Sequence, residues 1–289
     1  MRSLVLSGGS SKGAYTTGVL RYLLCDLGLQ HSSLHGISAG AINAAFLAQF
    51  PVGQEKDGAN QLCDLWSQLT SGKVYKSWWP FGSAHALWRM SFYDSSPLYR
   101  LIHSAISLDK IRAAGKTVTA GVVSLNSGKY TVIDQANDNF IDYVIASSSF
   151  PVAFSPIKID GQLWSDGGTK QISPLSTAID FGSTEIDLIV TSPEKRIPLW
   201  AEHPGILDIL KRTIDLSTEK IMSNDIEKVL MYNRLAEAGF TDKKYVKLNI
   251  IRPDNNLIED LLDFSPDKIK TMMNTGYNDA RKKYIINKT

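Results

Sequence analysis

The sequence predicts an α/β fold, a three-layer α/β/α sandwich around a central mixed, mainly parallel sheet. Short apolar runs of strand length alternate along the chain with longer stretches of helical periodicity. Residues 124–128 form a short polar connection typical of a hairpin, which indicates that the sheet is mixed. The chain has 289 residues, 43% of them hydrophobic, enough for one large core. We therefore expect residues 1–289 to form a single domain.

The predicted elements follow in chain order. Strand-like runs occupy residues 4–7, 34–36, 117–124, 129–134, 186–190 and 245–250. Helical periodicity predicts helices over residues 14–27, 39–49, 59–70, 206–239 and 265–284. A shorter strand-like triplet, residues 157–159, is followed by a turn at Asp160-Gly161.

The first strand ends in a glycine-rich loop, Gly8-Gly9-Ser10-Ser11-Lys12-Gly13, that opens a helix. Unpaired N–H groups and the helix dipole favour negative charge at such a place, for example the oxyanion of an acyl-transfer intermediate. The alternative is a nucleotide loop. However, a dinucleotide loop needs glycine where Ser10 stands, and a P-loop needs Lys-Ser or Lys-Thr after its last glycine.

The second motif is Gly36-Ile37-Ser38-Ala39-Gly40, where a strand-like run gives way to a helix-like one. In a sharp strand-to-helix turn the backbones approach closely, so the residues two before and two after the serine must be nearly free of side chain. The motif predicts that Ser38 is an exposed nucleophile.

The third motif is Trp164-Ser165-Asp166-Gly167-Gly168, which places a carboxylate at a predicted strand end before two glycines. Asp166 can then reach into a cleft as a catalytic base. The alternative is an Asx-turn, in which the carboxylate only bonds its own backbone two residues on.

Serine hydrolases usually have a histidine base, and this chain has five histidines. Only His203 follows Asp166, as the Ser-Asp-His order of α/β-hydrolases requires, and it lies in a polar, turn-like stretch. His35 lies just before the Ser38 motif, a position typical of a neutral histidine that is hydrogen-bonded to nearby groups. The arrangements left open are the triad with His203 and a Ser-Asp dyad.

Taken together and in this order, the three motifs resemble the patatin-like phospholipase family of bacterial type. Residues 146–156 are similar to the family's lead-in to its aspartate, and residues 264–280 to the end of many bacterial members. The resemblance implies that Ser38 attacks an acyl ester and that Asp166 is the base without a histidine. It also implies an oxyanion hole formed by the first loop, with donors from Gly8, Gly9 and Ser10, and Ala39 as a further candidate.

The loop departs from the family pattern at three positions. Ser10 stands where the family usually has a third glycine, and its Cβ restricts positive φ. Ser7 stands where plant members have aspartate, and Lys12 replaces a frequent arginine. Lys12 either binds a substrate phosphate as a point charge or caps the loop at the surface.

An irregular aromatic segment over residues 77–93 contains Trp78, Trp79 and Trp88, half of the six tryptophans. Tryptophan suits a bilayer interface or the rim of an acyl-chain pocket. We therefore expect Trp78 and Trp79 to bind lipid substrate and to support transient association with a membrane surface. The alternative is a small satellite core beneath a long loop.

Composition excludes several classes of function. A net charge of +2 without a basic block argues against nucleic-acid binding. There is no apolar run of membrane-spanning length and no signal peptide, and the two cysteines lie in helical-looking segments, so we expect a cytoplasmic protein. No residues have the spacing of a metal site, so we expect no cofactor and no calcium requirement.

The expected function is that of a calcium-independent serine acyl-ester hydrolase of lipids, of phospholipase A or lysophospholipase type. One alternative is an esterase or acyltransferase on a non-phospholipid acyl ester. Another is a non-catalytic lipid-binding module, against which the intact Ser38 and Asp166 argue. A cytoplasmic phospholipase also needs control, but the sequence identifies no residues for a regulatory partner.

Overall fold

The computed structural model describes residues 1–78, 90–194, 206–242, 244–258 and 260–286. Within these ranges the strands are β1 (Arg2–Leu6), β2 (Ser33–Gly36), β3 (Lys76–Ser77), β4 (Tyr93–Asp94), β5 (Thr117–Ser124), β6 (Tyr130–Asp134), β7 (Ile157–Ile159), β8 (Gln162–Asp166), β9 (Glu185–Ile189) and β10 (Lys247–Ile251). The α-helices are α1 (Gly13–Arg21), α2 (Ala39–Leu47), α3 (Glu55–Ser67), α4 (Ser71–Val74), α5 (Ser96–Ala105), α6 (Leu108–Ala114), α7 (Phe140–Ser147), α8 (Leu175–Asp180), α9 (Ile206–Glu237) and α10 (Pro266–Ile286).

The central sheet is mixed and mainly parallel, as predicted. Its strand order in the described chain is β10-β9-β1-β2-β5-β8-β7, with β6 also paired to β5. The strands from β10 to β5 are parallel to their neighbours. Strands β6, β7 and β8 are added in antiparallel fashion. The hairpin predicted at residues 124–128 joins β5 to β6, and the turn at Asp160-Gly161 joins β7 to β8.

Two strands end facing each other along one edge of β5. Ala120 of β5 is paired with Gly36 of β2, and Val122 is paired with Asp166 of β8. Both β5 residues also pair with β6, which must therefore occupy the other edge, because a strand residue has one neighbour on each side. Strand β2 runs parallel to β5 and β8 antiparallel, so their carboxyl ends point toward each other with Gly121 between them.

Helices cover both faces of the sheet. Leu4 and Leu6 of β1 belong to a core that includes side chains of α1, α2, α3, α5, α7 and α10. Val5 belongs to a second core, together with Leu188 of β9 and side chains of α8 and α9. Because alternate residues of a strand point to opposite faces, the predicted three-layer architecture is confirmed. Among the described helices, none has the length and apolar character needed to cross a membrane.

Most predicted helices have counterparts in the structure with shifted ends. Helix α1 ends at Arg21, and the chain continues through one wider π-type turn, Tyr22–Asp26, close to the predicted end. Helix α3 begins at Glu55, four residues before its predicted start. Helices α5, α6 and α7 were not predicted, because each is 10 residues or shorter and shows too few turns for a clear periodicity.

The first and last helices pack backbone against backbone. A Cβ added at Gly276 of α10 would lie 2.1 Å from the carbonyl oxygen of Tyr15, and one added at Gly18 of α1 would lie 1.9 Å from that of Met273. Any side chain at these positions would separate the helices. This contact anchors α1, whose first turn follows the glycine loop, to the C-terminal helix.

We predict that Gly276→Ala lowers the free energy of unfolding by about 2 kcal/mol, because the added methyl group forces α10 away from α1. Urea denaturation measures the change. Gly72→Ala in α4 is the matched control, since a Cβ there meets no atom within 4 Å. It should leave stability unchanged or raise it by about 0.5 kcal/mol. Equal midpoints for Gly276→Ala and the native protein would contradict the packing argument.

Candidate active site

Ser38 lies at a strained turn between β2 and α2. Its backbone has φ 58° and ψ −132°, a conformation uncommon for a residue with a Cβ. A Cβ on Gly36 would come within 2.3 Å of the carbonyl oxygen of Gly40, and one on Gly40 within 2.3 Å of that of Leu6. The two glycines of the motif are therefore required by backbone contact.

Asp166, at the end of β8, is brought to Ser38 by the end-to-end arrangement of β2 and β8. Asp166 is 1% exposed, its carboxylate accepts the N–H of Gly168 at 2.7 Å, and the Ser38 side chain lies close enough to lower its pKa. The Asx-turn and the contact with Ser38 therefore occur together. Burial raises the pKa of Asp166 to about 7, although the bonds from Gly168 and Ser38 act in the opposite direction.

The glycine loop lies against Ser38. A Cβ on Gly8 would be 3.1 Å from Cβ of Ser38. The loop is fixed by later parts of the chain, because Thr191 donates through Oγ1 to the carbonyl oxygen of Gly8 at 2.8 Å, and the N–H of Ser11 donates to the carbonyl oxygen of Leu261 at 3.1 Å.

The predicted oxyanion donors differ in their availability. The N–H groups of Gly9, Ser10 and Ala39 have no acceptor within the described chain, and all three residues line the same cavity as Ser38. The N–H of Gly8, by contrast, donates to the carbonyl oxygen of Ile172 at 3.4 Å. Ser10 adopts φ 51°, the left-handed conformation that its Cβ was expected to disfavour.

A cavity of about 590 Å³ opens from this polar wall. Ser38, Asp166 and the glycine loop lie on one side of it. Lys12 also lines the cavity and is 8% exposed, so it is not a surface cap of the loop.

The remainder of the cavity wall is mostly apolar. Ile42 and Phe46 of α2 follow Ser38 at intervals of four residues, and all three residues line the cavity. Across the cavity, α5 contributes Leu98 and Ile102. An apolar chain attached to a carbonyl at Ser38 can therefore lie along α2.

The described histidines are engaged away from Ser38. His31 bonds Asp187 at 2.7 Å, and exposed His103 pairs with Asp142 at 3.2 Å. His35 is buried against Thr119, and this burial lowers its pKa to about 4. This agrees with the interpretation of His35 as a neutral histidine. His85 and His203, and with His203 the alternative triad, lie outside the described residues.

The structure does not bring Trp78 into the cavity wall. Its indole N–H donates to the carbonyl oxygen of Ser91 at 2.9 Å, and the cavity lining nearby consists of Ser77, Phe92 and Tyr93. Trp79 and Trp88 lie outside the described residues. In the described parts of the chain, no group of three or more His, Cys, Asp or Glu side chains could hold a metal ion.

Three residues around the site were not identified from the sequence. Ser147 accepts the N–H of Ser38 at 3.0 Å, and Thr191 and Leu261 hold the glycine loop. A signal for Ser147 was present, since it begins a run of three serines at the end of an apolar helix. Thr191 holds the carbonyl oxygen of Gly8 and Leu261 holds the N–H of Ser11, both of them backbone groups of the loop, so no motif marks these two residues.

The chain is similar to several known proteins. A family model described as "Patatin-like phospholipase" matches residues 4–179. The chain is 23% identical over 270 residues to a probable lipid hydrolase, 463L, of Invertebrate iridescent virus 6, covering 86% of this chain and 92% of that protein. The crystal structure of VipD from Legionella pneumophila aligns at 12% identity with a TM-score of 0.46, over 99% of this chain and 67% of VipD. The family match includes the glycine loop, the serine elbow and Asp166, and this chain belongs to the patatin-like phospholipase family, whose members are carboxylic ester hydrolases.

Proposed function

We propose that the protein is a calcium-independent serine hydrolase of lipid acyl esters, of phospholipase A or lysophospholipase type, with Ser38 as nucleophile and Asp166 as base. The observation that supports this most is the pairing of Ser38 with a buried carboxylate whose pKa is about 7, at the polar wall of an apolar cavity. A carboxylate with that pKa is a far better base at neutral pH than an ordinary aspartate.

In the first step, Oγ of Ser38 attacks the ester carbonyl carbon as its proton moves to Asp166. The developing oxyanion accepts hydrogen bonds from the N–H groups of Gly9, Ser10 and Ala39, which have no acceptor in the described chain. The N–H of Gly8 adds a fourth donor if its long bond to Ile172 opens. The tetrahedral intermediate then collapses, and the leaving alcohol takes the proton from Asp166.

In the second step, water replaces the alcohol. Asp166 accepts a proton from the water as it attacks the acyl-enzyme carbonyl, and it returns that proton to Oγ of Ser38 when the fatty acid leaves. If another alcohol entered in place of water, the same residues would transfer the acyl group. This is the alternative esterase or acyltransferase reaction, and no observation favours it over hydrolysis.

Lipid as the substrate class is supported by the apolar lining around Ile42 and Phe46 and by the name of the viral relative, a probable lipid hydrolase. We also propose that Lys12, which lines the cavity, holds a phosphate of the headgroup as a point charge. We further propose one domain over residues 1–289, since α10 packs on α1, and a cytoplasmic enzyme that associates transiently with membrane surfaces.

We predict that Ser38→Ala and Asp166→Asn each lower kcat for fatty-acid release from phospholipid vesicles at least about 10³-fold. Asp138→Asn, which changes an exposed carboxylate paired with Arg112, is the matched control and should retain native activity. In the native protein kcat should rise with pH around a midpoint near 7, because only ionised Asp166 accepts the proton. Release should persist in excess EGTA.

Each part of this prediction can fail separately. Unchanged release by Ser38→Ala would exclude Ser38 as nucleophile. A pH midpoint near 4 would show that the pKa of Asp166 is not raised in the working enzyme. Release abolished by EGTA and restored by calcium would exclude calcium independence. Transfer of the acyl group to added glycerol, in preference to water, would favour the acyltransferase alternative.

We predict that Asp166→Asn is also more stable than the native protein at high pH. The folded-state pKa of about 7 exceeds the ordinary value of 3.8, so the native state holds a proton that the unfolded state releases between these pH values. Native stability therefore falls as pH rises through this window. The variant should match the native protein near pH 4 and exceed it by on the order of 3 kcal/mol at pH 8. Urea denaturation at both pH values measures the difference, with Asp138→Asn as the control. The same difference in unfolding free energy between variant and native protein at pH 4 and at pH 8 would contradict the prediction.

We predict that replacing Trp78 and Trp79 together with alanine weakens binding to phospholipid vesicles several-fold, because tryptophan favours the bilayer interface. Sedimentation with vesicles measures binding, and hydrolysis of a soluble short-chain ester should change less than about twofold. The double Phe variant keeps the aromatic rings and is the control. Equal vesicle binding by the native and alanine proteins would exclude these residues from membrane association.

A further inference from the structure

The backbone N–H of Ser38 is buried and needs an acceptor outside its own helix. Ser38 immediately precedes the first turn of α2, where N–H groups have no partner within the helix. The acceptor is Oγ of Ser147, at 3.0 Å. Ser147 is the last residue of α7 and is 0% exposed. The conformation of the elbow therefore depends on a side chain from another element.

The Ser147 hydroxyl both donates and accepts a hydrogen bond. Its hydrogen is donated to the carbonyl oxygen of Gly121 at 2.7 Å, so the N–H of Ser38 meets an oxygen lone pair. Gly121 is the residue of β5 between the end of β2 and the end of β8. A Cβ on Gly167 would lie 2.4 Å from that same carbonyl oxygen, so the backbone just after Asp166 packs against it. The hydrogen bond to Gly121 therefore fixes the Ser147 hydroxyl at the point where β2 and β8 meet.

The same end of α7 also holds the strand that bears the aspartate. The carbonyl oxygen of Ser149 accepts the N–H of Asp166 at 3.2 Å and the hydroxyl of Ser165 at 2.8 Å. One short segment of chain therefore fixes the backbone of the nucleophile through Ser147 and the backbone of the base through Ser149.

We propose that Ser147 is a positioning residue, whose hydroxyl sets the backbone of Ser38 relative to Asp166 through their common attachment at Gly121. This proposal rests on the proposed function, in which Ser38 and Asp166 form the reacting pair. Ser147 does not line the cavity in the described chain, so it does not act by touching substrate. Removing its hydroxyl leaves the Ser38 N–H and the Gly121 carbonyl without their partner and allows the elbow to relax.

The first test compares Ser147→Ala with the native protein on a soluble chromogenic ester. We expect kcat to fall about 10-fold to 100-fold with KM changed less than about twofold, because a displacement of about 1 Å at a reacting group costs up to about 10² in rate. The pH midpoint should stay near 7, since burial, the largest cause of the raised pKa of Asp166, and the bond from Gly168 are both kept. The matched control is Ser183→Ala, which removes another buried hydroxyl that donates to a carbonyl, that of Ala178, outside the cavity. It should keep native kcat and KM.

The second test is independent of turnover. An alkyl fluorophosphonate reacts once with Oγ of Ser38, forming the P–O bond as fluoride leaves and the serine proton passes to Asp166. Intact mass and peptide mapping follow the labelling rate, which should fall in Ser147→Ala by the same factor as kcat. Equal labelling rates in the native and variant proteins would overturn the positioning proposal and leave the proposed function standing.

The remaining outcomes also decide. Native protein that is neither active nor labelled would overturn both proposals. Circular dichroism measures the unfolded fraction of Ser147→Ala. If the variant loses activity only in proportion to that fraction, the positioning proposal is overturned. If Ser147→Ala does not fold, Ser147→Cys replaces it, because a thiol of similar size is a much weaker donor and acceptor. Folded Ser147→Cys should label at least about threefold more slowly, and a native rate would overturn the proposal.

Discussion

The meeting of β2 and β8 end to end on one edge of β5 is the constraint on which the site depends. A parallel strand and an antiparallel strand cannot share an edge at the same residues, so each stops where the other begins, with Gly121 in the gap. Ser38 follows the end of one strand and Asp166 ends the other. Sheet hydrogen bonding thereby brings together two side chains that are far apart in sequence, and their positions do not depend on the conformation of a long loop. In a fully parallel sheet both carboxyl ends would lie side by side on neighbouring strands, whereas here they meet end to end on one edge of β5.

Burial of Asp166 links stability and chemistry at this junction. At 1% exposure the carboxylate has no access to bulk water, and the few donors around it, from Gly168 and Ser38, do not fully replace hydration. The resulting rise in pKa destabilises the folded protein at neutral pH, and in the mechanism proposed above it makes the aspartate a usable base. Strain is concentrated nearby, since Ser10 and Ser38 both adopt positive φ with a Cβ present. The surrounding hydrogen bonds, from Thr191, Leu261 and Ser147, hold these conformations.

Sequence reasoning succeeded where function imposes a local rule. The glycines around Ser38 are required by backbone contacts within a few residues, and the alternation of strands and long helices specifies the layers. It did not identify α5, which forms part of the apolar cavity wall, because a helix of 10 residues has a weak periodicity. It also gave Gly8 the same role as Gly9 and Ser10, although the N–H of Gly8 is directed to Ile172. The difference at Gly8 arises from a contact across more than 160 residues of chain, which no local pattern encodes.

The bonds that hold the glycine loop have a consequence for the order in which the site is completed during synthesis. The family match ends at residue 179, but Thr191 and Leu261, which hold Gly8 and Ser11, come later in the chain. A chain emerging from the ribosome exposes Ser38 and then Asp166 well before these partners exist. Until Thr191 and Leu261 are made, the loop lacks two of the hydrogen bonds that hold its strained conformation beside Ser38. In this order of synthesis, the glycine loop gains its bond to Leu261 only after both Ser38 and Asp166 have been made.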